Sequence, residues 1–189
     1  MPFIRQDKPL QEVFSLTTPH HMLNKLYWEA KQFRNACDDR SDDIYAYPNA
    51  GYIAFNCAVT ALHCADWAWS AAEPDTRREL GNKLGFRVKG NKGDVIAFSD
   101  ALEKLNRDFY ICRQIANGSK HMRRGDRNHA VEVSVECSPR TAVEGRYLVD
   151  FVIRDGDKQE LATAVFDRIC EFWYKLYQDL GYSEGEFIC

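Results

Sequence analysis

The run Arg113-Gln114-Ile115-Ala116-Asn117-Gly118-Ser119-Lys120-His121-Met122-Arg123-Arg124 holds the residue types best suited to chemistry. On a helix turning about 100° per residue, Arg113, Asn117, Lys120 and Arg124 share one narrow stripe, with His121 at its edge. Cationic side chains on one face bind anions, and an imidazole exchanges a proton near neutral pH. A second polar stripe lies upstream. Asn56, Thr60, His63 and Ser70 fall within roughly 80° of one another, with Asp66 beside them. Their neighbours Tyr52, Ile53, Phe55, Ala58, Val59, Leu62, Ala65 and Trp67 are apolar, so this helix is expected to be buried all round. A polar group left unsatisfied there costs about 1–3 kcal/mol, so something polar is expected to face the stripe. Asp66 opposite Lys120 or Arg113 supplies such a pair, and His63 and His121 then share a pocket between two helices. The plainer reading is a structural hydrogen-bond network around a buried ion pair.

The elements that carry these residues follow from periodicity and caps. Thr17-Thr18-Pro19 marks a helix start, and Leu23, Leu26, Ala30, Phe33 and Cys37 continue it over 19–37. The polar stretch 38–43 ends it, and Pro48 opens the apolar helix over 49–72. A short helix is expected over 75–84, then a glycine-rich loop from Gly85 to Gly93. A long helical region follows over 94–122, with a bend or new cap at Ser99. The pattern then changes to period two. Val131, Val133, Val135 and Cys137 make one strand, and Tyr147, Val149, Phe151 and Ile153 make another. Asp155-Gly156 signals a hairpin into a short third strand ending at Leu161. A last helix carries Val165, Ile169, Phe172, Trp173, Leu176 and Leu180 and stops at Gly181. The expected fold is mainly α: a bundle of four to five helices over 17–124, a two- to three-stranded antiparallel sheet appended over 129–163, and a C-terminal helix over 163–181 packing on it. The chain of 189 residues then forms one domain.

Hydrophobic residues make up 45% and charged residues 28%, which excludes disorder as the main state. The net charge of −3 excludes a uniformly basic coat, but the charge is uneven. Arg77–Arg127 holds 13 Lys or Arg against 6 Asp or Glu, a local +7, and the remainder carries −10. A basic patch beside a pocket suits an anionic ligand such as RNA or a nucleotide, whereas a local excess spread over a helix is only a solvated face. Seven cysteines without a Cys-x-x-Cys read as free, mostly buried thiols, and no metal or other cofactor is expected. Motifs for a serine hydrolase, a phosphate loop or a zinc protease are absent. No apolar run of about 18 residues or signal core occurs, so a cytoplasmic location without membrane contact is expected. Aromatic residues at 13% suit a core and a homo-oligomer interface.

A helix bearing Asp66 and a later one bearing Arg113, Asn117 and His121 together resemble the HEPN superfamily over residues 19–124. The resemblance implies a cytoplasmic, dimeric, metal-independent ribonuclease of toxin or phage-defence type, or an inactive relative that binds RNA or an antitoxin-like partner. The family's motif places four to six residues between its Arg and His. Seven separate Arg113 from His121, whereas four separate Arg124 from His129 and five separate Arg123 from His129, across Gly125-Asp126. Under this reading His121 takes a proton from an RNA 2′-hydroxyl, and Arg113 and Lys120 stabilise charge on the phosphate. Asn117 and Asp66 position these groups, while His63, Thr60, Asn56, Arg123 and Arg124 contribute to binding. The alternative is a non-catalytic helical interaction module built around a buried polar network.

Overall fold

The computed structural model describes residues 16–38, 46–118, 131–138 and 148–182. They form six helices: α1 (Pro19–Asp38), α2 (Ala46–Ala71), α3 (Pro74–Leu84), α4 (Gly93–Leu105), α5 (Arg107–Gly118) and α6 (Ala162–Asp179). Three strands, β1 (Val131–Ser138), β2 (Leu148–Asp155) and β3 (Lys158–Leu161), precede α6 in the antiparallel order β1-β2-β3. The fold is mainly helical with a small sheet before the last helix.

Local signals place most boundaries. The Thr18 hydroxyl accepts the His21 N–H at 3.2 Å, and Pro19 opens α1. Asp155 pairs with Lys158 across the two-residue turn Gly156-Asp157, where Gly156 takes φ +58°. Gly181, at φ +68°, ends α6 with its N–H on the Gln178 carbonyl at 2.9 Å. The region expected as one long helix is two. It breaks at Asn106, whose extended backbone and side-chain oxygen, accepting the Phe109 N–H at 2.8 Å, cap α5. Ser99 lies buried inside α4 instead of marking a bend.

The core is built on the small residues of α2. Ala50, Ala54, Cys57, Ala58, Ala61, Cys64, Ala65 and Ala68 are all buried and recur at helical spacing. Small side chains let α1, α4, α5 and α6 pack closely around α2 and supply the bulk themselves, through Leu23, Leu26, Phe98, Leu102, Phe109, Ile169 and Trp173. Tyr177 donates its hydroxyl to the Cys64 carbonyl at 3.1 Å, which fixes α6 on α2.

The sheet shares this core. Phe151 and Ile153 of β2 are buried, and the Phe33 ring of α1 meets Phe151 at 5.4 Å and Phe166 at 5.3 Å, both edge-on. An ionic clamp adds to the attachment. Arg107 reaches Asp155 at 3.0 Å and also Glu160, while Arg168 reaches Asp108 at 2.6 Å and Glu160 at 2.5 Å. Burial pushes the Glu160 carboxyl up, but the two guanidiniums hold it below its ordinary range. α6 packs on α1, α2 and α5 as well as on β2 and β3, so it is a bundle helix that the sheet abuts.

Cys37, Cys57, Cys64, Cys112 and Cys170 are free thiols. Burial pushes Cys37 and Cys170 up to about 12 and the other three higher still, so all five stay protonated and act as packing groups. Among the described residues no helix is long and apolar enough to cross a membrane.

Candidate functional site

The polar stripe of α2 opens towards water along most of its length. Asn56, His63, Asp66 and Ser70 are exposed, as is Tyr52 at 69%. A helix buried all round was expected, but α2 buries only its Ala/Cys face and the residues flanking it. Thr60 alone of the stripe is buried, and its partner comes from α1. Lys25 Nζ donates to Thr60 Oγ1 at 2.5 Å and to Glu29 Oε1 at 2.5 Å. Glu29 is 4% exposed, and its Oε2 has no hydrogen-bond partner among the described residues. The sequence signal for this cluster was a Lys25–Glu29 pair at i,i+4 spacing, with the carboxylate falling inside an apolar stripe.

Arg113 is committed elsewhere. Its guanidinium pairs with Asp100 at 2.7 Å and with Glu103, joining α5 to α4. Asn117 is half-buried near the end of α5. Lys120, His121, Arg123, Arg124 and His129 lie outside the described residues. α2 and α5 do pack together, but their buried residues are mostly apolar: Ala61, Cys64 and Ala65 on one side, Ile111, Cys112 and Ala116 on the other. Three of the described candidates therefore lie in three different places: Thr60 against α1, Arg113 against α4, and Asp66 on the rim of a groove at the far end of α2.

That groove has a volume of about 830 Å³. Asp66, Trp69 and Ser70 of α2 form one wall, Arg77 and Arg78 of α3 another, and Val88, Gly90, Asn91 and Lys92 with the start of α4 the third. Two side chains fix its shape. Arg77 donates to the Trp69 and Ser70 carbonyls, each at 2.9 Å, and so caps the last turn of α2. Its guanidinium also lies 5.7 Å from the Trp69 ring centroid. Asp94 gathers the loop by accepting the N–H groups of Lys89 at 3.0 Å, Gly90 at 2.6 Å and Asn91 at 3.2 Å. Gly90 takes φ +75°, which that wrapping requires. Gly81 permits the close approach of loop to helix, since an added Cβ would lie 2.7 Å from Val88 Cγ2.

Three backbone amides of the glycine-rich loop, those of Lys89, Gly90 and Asn91, are thus occupied by the chain's own carboxylate. Those three amides are not open to an outside anion, and the loop's Lys and Arg side chains are. Between Arg77 and Lys92 there are six Lys or Arg and one acidic residue, Glu79. Arg78 and Lys92 are exposed in the lining of the groove, and Arg87 and Lys89 are exposed on the adjoining loop. A second concavity of about 410 Å³, lined by Asn82, Phe86 and Arg87, shares Arg78 and Val88 with the first, so the two form one basic surface. The basic segment divides accordingly. Its later members Arg107 and Arg113 are tied up in partly buried ion pairs, and its earlier members surround the groove, where Arg78 also pairs with the exposed Asp75 of its own helix.

The bond from the Lys89 N–H, reinforced by those of Gly90 and Asn91 against the effect of burial, holds the Asp94 carboxyl below its ordinary range. A depressed native pKa stabilises the fold above the unfolded value of about 3.9, and that contribution is lost as pH falls through the native value. Asp94→Asn is expected to lower Tm by a few degrees at neutral pH. Melting curves taken across pH should show the variant converging on the wild type in acid.

No family model matches the chain, and no curated protein or solved structure is similar to it at a significant level. Among the described residues no three His, Cys, Asp or Glu side chains are grouped to hold a metal.

Proposed function

We propose that this protein is a HEPN-like helical module that binds RNA through its phosphates. The observation that carries this reading is the convergence of exposed Arg78, Arg87 and Lys92 on one linked concavity, with Lys89 exposed on the same loop, in a chain whose net charge is −3. Lys and Arg concentrated on one face of an otherwise acidic protein attract a polyanion and steer its approach. Asn82 and the half-buried Phe86 add hydrogen-bonding and apolar surface beside the charges.

Binding is favoured over cleavage by the state of Arg113. Stabilising a pentacoordinate phosphate requires a guanidinium free to meet it. Arg113 is 19% exposed and holds two carboxylates, so it would have to abandon Asp100 and Glu103 to do so. The metal-independent ribonuclease with His121 as base is the more demanding form of the same reading. Incubating the protein with labelled single-stranded RNA and a chelator separates the two. Retarded RNA recovered intact supports binding alone. Cleavage abolished by His121→Ala, with Tm unchanged, supports the ribonuclease, and RNA that is neither retarded nor cut refutes both.

A further inference from the structure

The smaller of the two linked concavities, about 410 Å³, differs from the larger in what lines it. Asn82 comes from the end of α3, and Phe86 and Arg87 from the loop that follows, while Arg78 is common to both concavities. Its walls are fixed by the chain itself. The Phe86 N–H donates to the Gly81 carbonyl at 2.8 Å and the Gly85 N–H to the Asn82 carbonyl at 3.3 Å, so the loop is tied to the last turn of α3. Gly85 makes that turn possible at φ +78°. The Phe86 ring is backed by the buried Trp69 ring, with 5.9 Å between centroids. The Asn82 side chain is exposed, and its amide is hydrogen-bonded to no described residue.

A supported aromatic ring, an open carboxamide and two guanidiniums at the rim are the partners that a nucleobase and its phosphates require. Every base offers a π face on which an aromatic side chain stacks. Every base also sets a hydrogen-bond donor beside an acceptor on its Watson–Crick edge, and a carboxamide presents one of each. In a duplex both features are spent, the face on neighbouring bases and the edge on the opposite strand. We propose that this concavity is a subsite for one unpaired nucleobase of an RNA strand, with Phe86 against its face, Asn82 on its edge, and Arg78 and Arg87 on the flanking phosphates. The inference rests on the reading of the basic groove as a phosphate site and adds a selection to it, unpaired RNA over duplex. Phosphate contacts alone would not give that order, because a duplex carries the denser charge.

The test is fluorescence anisotropy of the full chain with three labelled RNAs of one length at one salt concentration. They are an unstructured single strand, the same strand paired to its complement, and the same strand with abasic sites in place of its bases. The single strand is expected to bind more tightly than the duplex, and about 10-fold more tightly than the abasic strand. Phe86→Leu keeps an apolar side chain against Trp69, and Asn82→Ala changes an exposed helical position, with melting curves showing that each variant stays folded. Each should bring the affinity for the single strand down towards that for the abasic one. A duplex or abasic strand bound as tightly as the single strand overturns the subsite and leaves the phosphate reading in place. So does a preference that survives both substitutions. Failure of all three RNAs to bind overturns the subsite and the phosphate reading together.

Discussion

Replacing Phe33 with alanine is expected to destabilise the chain by about 3–5 kcal/mol, the ordinary cost of removing a fully buried aromatic ring. Phe33 has no exposed surface, and it is where the bundle and the sheet meet, with Phe151 of β2 on one edge and Phe166 of α6 on another. Its removal leaves a cavity lined by both parts. The loss should therefore appear in a single transition. Urea unfolding followed by far-ultraviolet dichroism and by tryptophan fluorescence should give coincident curves, a lowered midpoint and an unchanged slope. Were the sheet a separate appendage, an early transition of small amplitude would split from the main one, and Phe33→Ala would enlarge the gap.

How far the sequence foretells this structure depends on whether the deciding interaction is local. The Thr18 cap, the Gly156 turn and the Gly181 stop involve residues within four positions of each other, and all three were readable. The break at Asn106 was not, because Phe98, Leu102, Leu105, Phe109 and Cys112 keep the helical period straight through it. Only the cap residue Asn106, with Asp108 in the first turn, signalled a second helix. The orientation of α2 was hidden for a different reason. With apolar residues all round, size decides which face is buried, and here the small Ala and Cys residues go inwards while Tyr52 points out. Periodicity also cannot say which helix lies alongside. Thr60 was read as facing α5, yet its partner Lys25 belongs to α1.

The site divides in the same way. The glycine-rich, basic character of Gly85–Gly93 was visible in composition. That Asp94 would occupy the loop amides, and Arg77 would close the end of α2, depends on side-chain-to-backbone bonds that no spacing rule announces. The expectation of an interhelical Asp66 pocket placed the functional surface deep within the bundle. The groove lies instead at the end of α2, with Asp66 as one member of its rim.

The second large effect is on binding. Reversing Arg87, Lys89 and Lys92 together to glutamate is expected to weaken RNA binding on the order of 10- to 100-fold at moderate salt. These three residues are exposed, and Lys89 bonds Asp94 only through its backbone N–H, which the substitution keeps. The fold should therefore survive, with Tm close to that of the wild type. Arg77 is excluded from the set because its guanidinium caps α2, and its loss would confound binding with stability.

The central claim is that these side chains meet phosphates, and the salt dependence of affinity reports phosphate contacts directly. Each contact to a single strand contributes about −0.7 to the slope of log affinity against log salt. The measurement is fluorescence anisotropy of one labelled single-stranded RNA over a salt series, for the wild type and the triple reversal. A slope shallower by about 2 in the variant is the predicted result. Equal slopes, with affinity unchanged, would place RNA elsewhere on the molecule and contradict the account.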